Sequence, residues 1–202
     1  MLLLDSLERM SITVSVVSSG KVVTVRFSDP DSRNPLSAKV LERLHEFTDN
    51  LIFNSNVETV VFTGSGNVFA SGANLREIAG LDSRTAPEFA RFGQSLMGKI
   101  ASMQKTTIAA VNGFCFGGAL DLALACDKRI ASPDATFAHP GAGLGIITGW
   151  GGTQRLPRLV GQANALEMFF TAAPVDAARA LTIGLVDLVA DDVFDNECLR
   201  LR

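Results

Sequence analysis

Hydrophobic and polar positions form two kinds of pattern in the first third of the chain. Two β-rich apolar runs, Ser11–Val17 and Lys21–Phe27, flank the turn residues Ser18-Ser19-Gly20, which predicts a β-hairpin. A polar turn region follows at 28–35, and Ser37 is then placed to cap a helix. The apolar positions of that helix recur at helical spacing: Val40, Leu41, Leu44, Phe47, Leu51 and Ile52.

Further along, short apolar strands alternate with helical patterns. The pattern predicts strands at Thr59–Thr63, Thr107–Val111, Arg129–Ala131 and Ala135–Phe137. It predicts helices from about Thr85 to Met103, from Gly117-Gly118 onward, at Thr153–Val160, at Ala163–Thr171, and after a cap at Asp176 up to Gly184. Gly64–Gly72 is expected to be a loop of small residues, and Gly141–Gly152 is dense in glycine. This alternation without a low-complexity linker predicts the α/β class.

Composition narrows the class of protein. With 202 residues, 47% hydrophobic and 19% charged, the chain suits one globular domain. A net charge of −3 and a pI of about 5.4 provide no overall positive field for nucleic acid. No apolar stretch approaches the ~20 residues that span a bilayer, and charges follow the apolar Met1–Leu4 at once, so neither a membrane protein nor a signal peptide is expected. Cys115, Cys126 and Cys198 share no metal-ligand spacing, and we expect a cytoplasmic protein without metal.

One candidate site lies at the turn that joins a predicted buried strand to the helix that follows it. The run from Ala110 to Leu122 passes through Asn112-Gly113 and opens a helix at Gly117-Gly118. The first N–H groups of a helix lack intrahelical partners, so this turn can hold a developing oxyanion. Asp121 follows on nearly the same helix face, beside the same pocket. The residues alone favour a helix start without catalysis, where an acid in the first turn is simply stabilising.

A second candidate is the loop from Val68 to Arg76, whose small side chains at Ala70–Ala73 let a ligand approach the backbone. Taken by itself, this loop is typical of an ordinary strand-to-helix turn.

Together the two elements resemble the crotonase superfamily, the enoyl-CoA hydratase/isomerase family. The matching segments appear in the family's order from about Ile12 to Val189: Phe69-Ala-Ser-Gly-Ala-Asn-Leu-Arg-Glu77, Val111-Asn-Gly-Phe-Cys-Phe-Gly-Gly-Ala-Leu-Asp-Leu-Ala123, Gly149-Trp-Gly-Gly-Thr-Gln-Arg-Leu-Pro-Arg158 and Ala180-Leu-Thr-Ile-Gly-Leu-Val-Asp187.

The resemblance implies a fold and a set of binding residues. The fold would be a spiral of ββα units, with a core domain at 1–189 and a short remnant of a C-terminal helical region at 190–202. The N–H groups of Ala73 and Gly118 would polarise an acyl-CoA thioester carbonyl and stabilise its enolate. The loop Ala73, Asn74, Leu75 and Arg76 would bind coenzyme A, with Arg76 contacting a phosphate unless it is simply solvated. No cofactor beyond the coenzyme A of the substrate is implied.

The acid–base residues depart from the family's pattern. Hydratases of the family use two glutamates; the first matches Asp121, and the second falls on Gly141, which has no side chain. His139 is a candidate replacement, because imidazole titrates near neutral pH, although a structural role in a Pro-containing turn is also open. If the missing acid at position 141 is the one defect that limits hydration, Gly141→Glu should raise the rate of hydration.

Two functional classes therefore stay open at the level of sequence. The first is an acyl-CoA enzyme acting through an enolate, with enoyl-CoA hydratase-type lyase chemistry ahead of isomerase, hydrolase or decarboxylase chemistry. The second is a crotonase-like protein that binds acyl-CoA or a partner without turnover. The resemblance also implies a homo-oligomer, a trimer or hexamer, and neither a nucleic acid nor a membrane is an expected partner.

Overall fold

The structure is a computed structural model that describes residues 14–194 of the chain. Its strands are β1 Val14–Ser19, β2 Val22–Phe27, β3 Thr59–Thr63, β4 Val68–Ala70, β5 Thr106–Val111, β6 Phe114–Phe116, β7 Lys128–Ala131, β8 Thr136–Ala138, β9 Val175–Asp176 and β10 Leu188–Val189. Its helices are α1 Ala38–Ile52, α2 Leu75–Ala79, α3 Thr85–Ala101, α4 Gly118–Ala125, α5 Gly152–Val160, α6 Gln162–Thr171 and α7 Ala177–Thr182. A 3₁₀ helix spans Pro140–Leu144.

The strands form two sheets. The larger has six strands in the order β1-β2-β3-β5-β7-β10, and all neighbours in it are parallel except the β1–β2 hairpin. The smaller has four strands in the order β4-β6-β8-β9. The consecutive pairs β3–β4, β5–β6 and β7–β8 each place one strand in the larger sheet and the next in the smaller. This arrangement confirms the α/β class and the spiral of ββα units.

The core lies around the larger sheet and the helices that cover it. Ser37 caps α1 by accepting a hydrogen bond from the N–H of Val40, as the sequence predicts. The apolar face of α1 is buried as a stripe at Val40, Leu41, Leu44, Phe47 and Leu51. Helix α3 packs against α1 and α4, and α4 in turn contacts β5 and β7 of the larger sheet. Within residues 14–194, no helix is both long and apolar enough to cross a membrane.

The sequence pattern did not predict several of the short elements. The predicted loop Gly64–Gly72 contains β4, and the chain between the predicted strand at 107–111 and α4 contains β6. A strand of three residues is too short to show alternation, so tertiary pairing decides it. Of the predicted first strand, residues 11–13 lie outside the described residues, as do Cys198 and residues 195–202 of the predicted remnant at 190–202.

Candidate active site

The loop that follows β4 is held against the turn that precedes α4. The N–H of Leu36 donates to the carbonyl of Gly72 at 2.8 Å, within a parallel bridge between Leu36 and Ala73. Gly72 has φ +89°, and a Cβ there would lie 2.6 Å from the carbonyl oxygen of Phe116, so only glycine fits. In a parallel bridge the residues that flank Ala73 make the hydrogen bonds, which leaves the N–H of Ala73 free of this pairing.

The start of α4 supplies the second N–H group. Gly117 adopts φ 56°, and its N–H donates to the carbonyl of Ala138 at 2.8 Å, which anchors the turn to β8. Gly118 is the first residue of α4, so its N–H has no intrahelical acceptor. Ala73, Gly118 and Asp121 all border one cavity of about 260 Å³. The two predicted oxyanion donors and the predicted acid are therefore brought together.

The walls of this cavity are mainly apolar. Phe89 and Trp150 form one side with ring centroids 5.5 Å apart, and Phe169 lies at another. Leu144 and Ile147 line its mouth and are exposed. A largely apolar cavity with a few convergent polar groups is the usual form of a small-molecule site.

Asp121 is the carboxylate of the cavity, and its two oxygens differ in surroundings. Oδ2 accepts hydrogen bonds from the hydroxyl of Thr148 and from the N–H of Trp150, the latter at 3.0 Å. Oδ1 is buried and has no hydrogen-bond partner within residues 14–194. A Cβ at position 152 would overlap Oδ1, so Gly152 keeps the space beside this oxygen open.

Burial sets the protonation of this acid. The side chain of Asp121 is fully buried, and loss of water raises its pKa from 3.8 to about 6. The hydrogen bonds from Thr148 and Trp150 and the positive charge of Arg155 oppose this rise. Asp121 is therefore mainly ionised at neutral pH, yet it takes up a proton far more readily than a surface aspartate.

His139 is the second titratable group in the cavity. Its Nε2 lies 3.8 Å from Oδ1 of Asp121, and its ring lies beside Phe169 at a centroid distance of 5.1 Å. Both ring nitrogens are buried without hydrogen-bond partners in the described part of the chain. Burial lowers the pKa of His139 from 6.5 to about 4, so the imidazole is neutral at pH 7. The pair thus consists of one carboxylate and one neutral imidazole.

Comparison with known proteins identifies the family. The profile described as "Enoyl-CoA hydratase/isomerase" matches residues 18–201. The chain belongs to the enoyl-CoA hydratase/isomerase family. It is 38% identical over 179 residues to the short-chain-enoyl-CoA hydratase of Clostridium acetobutylicum, covering 88% of this chain and 69% of that protein. It is 40% identical over 170 residues to the crotonyl-CoA hydratase of Syntrophomonas wolfei, covering 84% and 65% respectively.

Solved structures agree with this assignment. The crystal structure of an enoyl-CoA hydratase from Bacillus anthracis superposes with a TM-score of 0.84 at 34% identity, covering 88% of this chain and 70% of that one. The resemblance to the crotonase superfamily is thereby confirmed. The chain spans about two thirds of the length of the curated relatives it matches.

The loop predicted to bind coenzyme A lies at the cavity, but not all of its residues line it. Ala73 and Leu75 line the cavity, whereas Asn74 and Arg76 are not among its lining residues. The side chain of Asn74 caps α2 by accepting from the N–H of Arg76 at 3.0 Å. Arg76 is exposed at the surface, so its predicted contact with a phosphate stays a prediction.

Position 141 has no side chain, and the surrounding backbone leaves no room for one. Gly141 lies in the 3₁₀ helix, and its carbonyl accepts from the N–H of Ile146 at 3.0 Å. A Cβ at 141 would overlap the carbonyl oxygen of Ile146, so the backbone itself occupies the direction that a side chain would take. The expectation that Gly141→Glu simply restores a second acid therefore needs correction, because the loop must move first.

Sequence reasoning missed Thr148. It lies in the glycine-dense segment Gly141–Gly152, where nothing in the pattern marks it, and its hydroxyl reaches Asp121 only because that segment folds back over α4. Trp150 lies within the Gly149–Arg158 motif, and the sequence allowed it beside the pocket or in a core or interface; it lines the cavity. Within the described residues, no group of three or more His, Cys, Asp or Glu side chains is placed to hold a metal ion.

Proposed function

We propose that this protein acts on acyl-CoA thioesters through an enolate, with enoyl-CoA hydratase-type chemistry on a short-chain substrate. The observation that carries the proposal is the meeting of the Ala73 and Gly118 N–H groups with the buried carboxylate of Asp121 in one apolar cavity. The names of the relatives, a short-chain-enoyl-CoA hydratase and a crotonyl-CoA hydratase, support the same reaction. The proposed partner is thus an acyl-CoA thioester.

One carboxylate suffices for a stepwise hydration. With the thioester oxygen between the N–H groups of Ala73 and Gly118, Asp121 accepts a proton from water as the water oxygen bonds to the β-carbon. The π electrons of the carbon–carbon double bond then form the enolate, whose negative oxygen the two N–H groups stabilise. Asp121 returns the same proton to the α-carbon, and the carboxylate is regenerated. A pKa of about 6 suits a group that both accepts and donates a proton near neutral pH.

His139 has a supporting part in this scheme. Its neutral ring places Nε2 beside Oδ1 of Asp121, where it can accept a hydrogen bond from the protonated acid or from the attacking water. The absence of any other partner for its nitrogens among residues 14–194 leaves them available to a molecule in the cavity.

A second candidate function follows from position 141. Since Gly141 offers no second acid and the carbonyl of Ile146 closes its place, a reaction of the thioester that adds no water to a carbon–carbon double bond is the alternative. Isomerase, hydrolase or decarboxylase chemistry belongs to this class. Formation of an enolate without addition of water would favour it.

Isotope incorporation separates these functions. Hydration of crotonyl-CoA in H₂¹⁸O should place ¹⁸O on the β-carbon, and hydration in D₂O should place one deuterium on the α-carbon, both read by mass spectrometry. Asp121→Asn should lower both by ~10²-fold or more. Asp134→Asn, which changes an exposed acid, is the control and should leave the rate unchanged.

The contrary outcomes are equally distinct. Exchange of the α-protons of butanoyl-CoA for deuterium without ¹⁸O uptake from crotonyl-CoA would establish the alternative enolate reaction. Absence of both isotopes, together with bound acyl-CoA in calorimetry, would indicate a protein that binds without turnover. The homo-oligomer, the cytoplasmic location, the core domain at 1–189 and the lack of a further cofactor stay predictions from the sequence.

A further inference from the structure

The two oxygens of the Asp121 carboxylate have different neighbours. Thr148 and the N–H of Trp150 both donate to Oδ2, and neither reaches Oδ1. Oδ1 faces Nε2 of His139 at 3.8 Å, and the missing side chain of Gly152 leaves space beside it. The two donors therefore hold the plane of the carboxylate so that one oxygen accepts from the loop and the other faces His139.

We propose that Thr148 is a positioning residue that fixes the Asp121 carboxylate so that Oδ1 is the oxygen left to exchange a proton with a molecule in the cavity. The proposal rests on the proposed function and names the part of the site that orients its acid. Because Oδ2 already accepts two hydrogen bonds, a proton taken up by Asp121 resides on Oδ1. The hydroxyl hydrogen of Thr148 must then point to Oδ2.

The backbone supplies only part of this orientation. The N–H of Trp150 donates to Oδ2 at 3.0 Å, and the backbone of Gly152 also favours the ionised form of Asp121. Thr148 adds a second donor from two residues earlier in the same loop, which fixes the plane. Its Cγ2 methyl also packs toward Gly152, since a Cβ there would lie 2.9 Å from it. A serine keeps the donor, whereas a valine keeps the shape and loses the donor.

Other charged and titratable groups near Asp121 come from three elements. His139 follows β8, Arg155 lies on α5, and the buried thiol of Cys115 lies on β6. None of them donates to Oδ2 in the structure. A change that is confined to Thr148 therefore reports on the orientation of the carboxylate with this surrounding charge unchanged.

The test compares Thr148→Val with Thr148→Ser. The first readout is a ¹³C NMR titration of protein labelled at aspartate Cγ, with the Asp121 signal assigned by its loss in Asp121→Asn. Thr148→Val should raise the pKa of Asp121, because a hydrogen bond to the ionised form is lost, and Thr148→Ser should keep it near that of the parent. The second readout is hydration of crotonyl-CoA across pH, where the valine variant should lose ~10-fold to 10²-fold in kcat with little change in KM and an acidic limb moved to higher pH.

The outcomes distinguish this proposal from the proposed function. If the parent neither hydrates crotonyl-CoA nor exchanges the α-protons of butanoyl-CoA, the proposed function fails, and the NMR titration alone decides whether Thr148 orients the acid. An unchanged Asp121 pKa in Thr148→Val, or a raised pKa with parental kcat, would overturn the positioning role. Should the valine variant not fold, Thr148→Ala takes its place with the same expected results.

Discussion

Oδ1 of Asp121 and Nε2 of His139 lie 3.8 Å apart in the cavity, and within the described residues neither atom has a hydrogen-bond partner. Both groups are buried away from water, but burial shifts their pKa values in opposite directions. It raises the pKa of Asp121 to about 6 and lowers that of His139 to about 4, because it disfavours the charged form of each. Their contributions to the pH dependence of stability therefore oppose one another.

The first prediction is that the pH dependences of stability contributed by Asp121 and His139 largely cancel in the parent protein. Replacing either residue alone should therefore reveal the contribution of the other. Between its ordinary value of 3.8 and about 6, Asp121 binds a proton in the folded state that the unfolded chain lacks, so its contribution is present at low pH and is lost as pH rises through 6. Between 6.5 and about 4, His139 lacks a proton that the unfolded chain binds, so its contribution is present above 6.5 and is lost as pH falls through 4.

Each contribution amounts to about 3 kcal/mol in the free energy of unfolding. Relative to the parent, Asp121→Asn should therefore gain stability as pH rises from 4 to 6.5, and His139→Gln should lose stability over the same range. Urea unfolding at a series of pH values measures both, with Asp134→Asn as the surface control. If the free energy of unfolding of both variants changed with pH in parallel with that of the parent, neither group would have the shifted pKa that burial gives it.

The second prediction concerns the N–H of Gly118. Side-chain variants are unsuitable, because a Cβ at this position would overlap the indole ring of Trp150. Replacing Gly118 by glycolic acid exchanges the N–H for an ester oxygen and adds no atoms to the side chain. Loss of one oxyanion donor should lower hydration of crotonyl-CoA by ~10²-fold.

The matched control is the same replacement at Gly98, inside α3, where a Cβ would meet no atom within 4 Å. This ester removes a helical hydrogen bond away from the cavity, so it should lower the Tm and leave turnover near that of the parent. Equal turnover in the two ester proteins would remove Gly118 from the oxyanion site.

Local signals in the sequence predicted the larger elements and part of the site. The apolar stripe of α1, the cap at Asp176 and the start of α4 at Gly118 are local features, and each is confirmed. The contact between Thr148 and Asp121 joins residues far apart in the chain through a glycine-rich loop, where neither periodicity nor capping applies. Gly141 illustrates the same point. A side chain there would overlap the carbonyl oxygen of Ile146, a contact made by the fold of the loop, whereas the φ of Gly141 is not positive.

The third prediction tests how tightly Trp150 is held. A Cβ at Gly93 on α3 would overlap the indole of Trp150, which itself lines the cavity. Gly93→Ala should destabilise the protein by about 2 kcal/mol and raise the KM for acyl-CoA, because the displaced ring enters the cavity. Gly98→Ala, on the same helix with open space around it, should instead stabilise the protein by up to about 1 kcal/mol. Thermal unfolding and steady-state kinetics measure both; a Gly93→Ala protein as stable as Gly98→Ala would contradict the packing.

The last prediction concerns position 141, and it uses two glycines of one 3₁₀ helix. A Cβ at Gly141 would overlap the carbonyl of Ile146, whereas one at Gly143 would meet no atom within 4 Å. Gly141→Ala should therefore cost about 2 kcal/mol, which lowers the Tm of a chain of this size by about 4–8 °C, while Gly143→Ala should change it little.

Gly141→Glu should lose at least as much stability as Gly141→Ala, because its added atoms follow the same obstructed Cβ. Its carboxylate then reaches the cavity only if the segment from Gly141 to Ile146 shifts, so we expect no gain in hydration of crotonyl-CoA over the parent. A rate at least tenfold above the parent, absent in Gly141→Ala, would show instead that the loop yields and that a second acid was what the site lacked. The same rate in all three proteins is the result we expect, because the obstructed side chain does not bring a second carboxylate into the cavity.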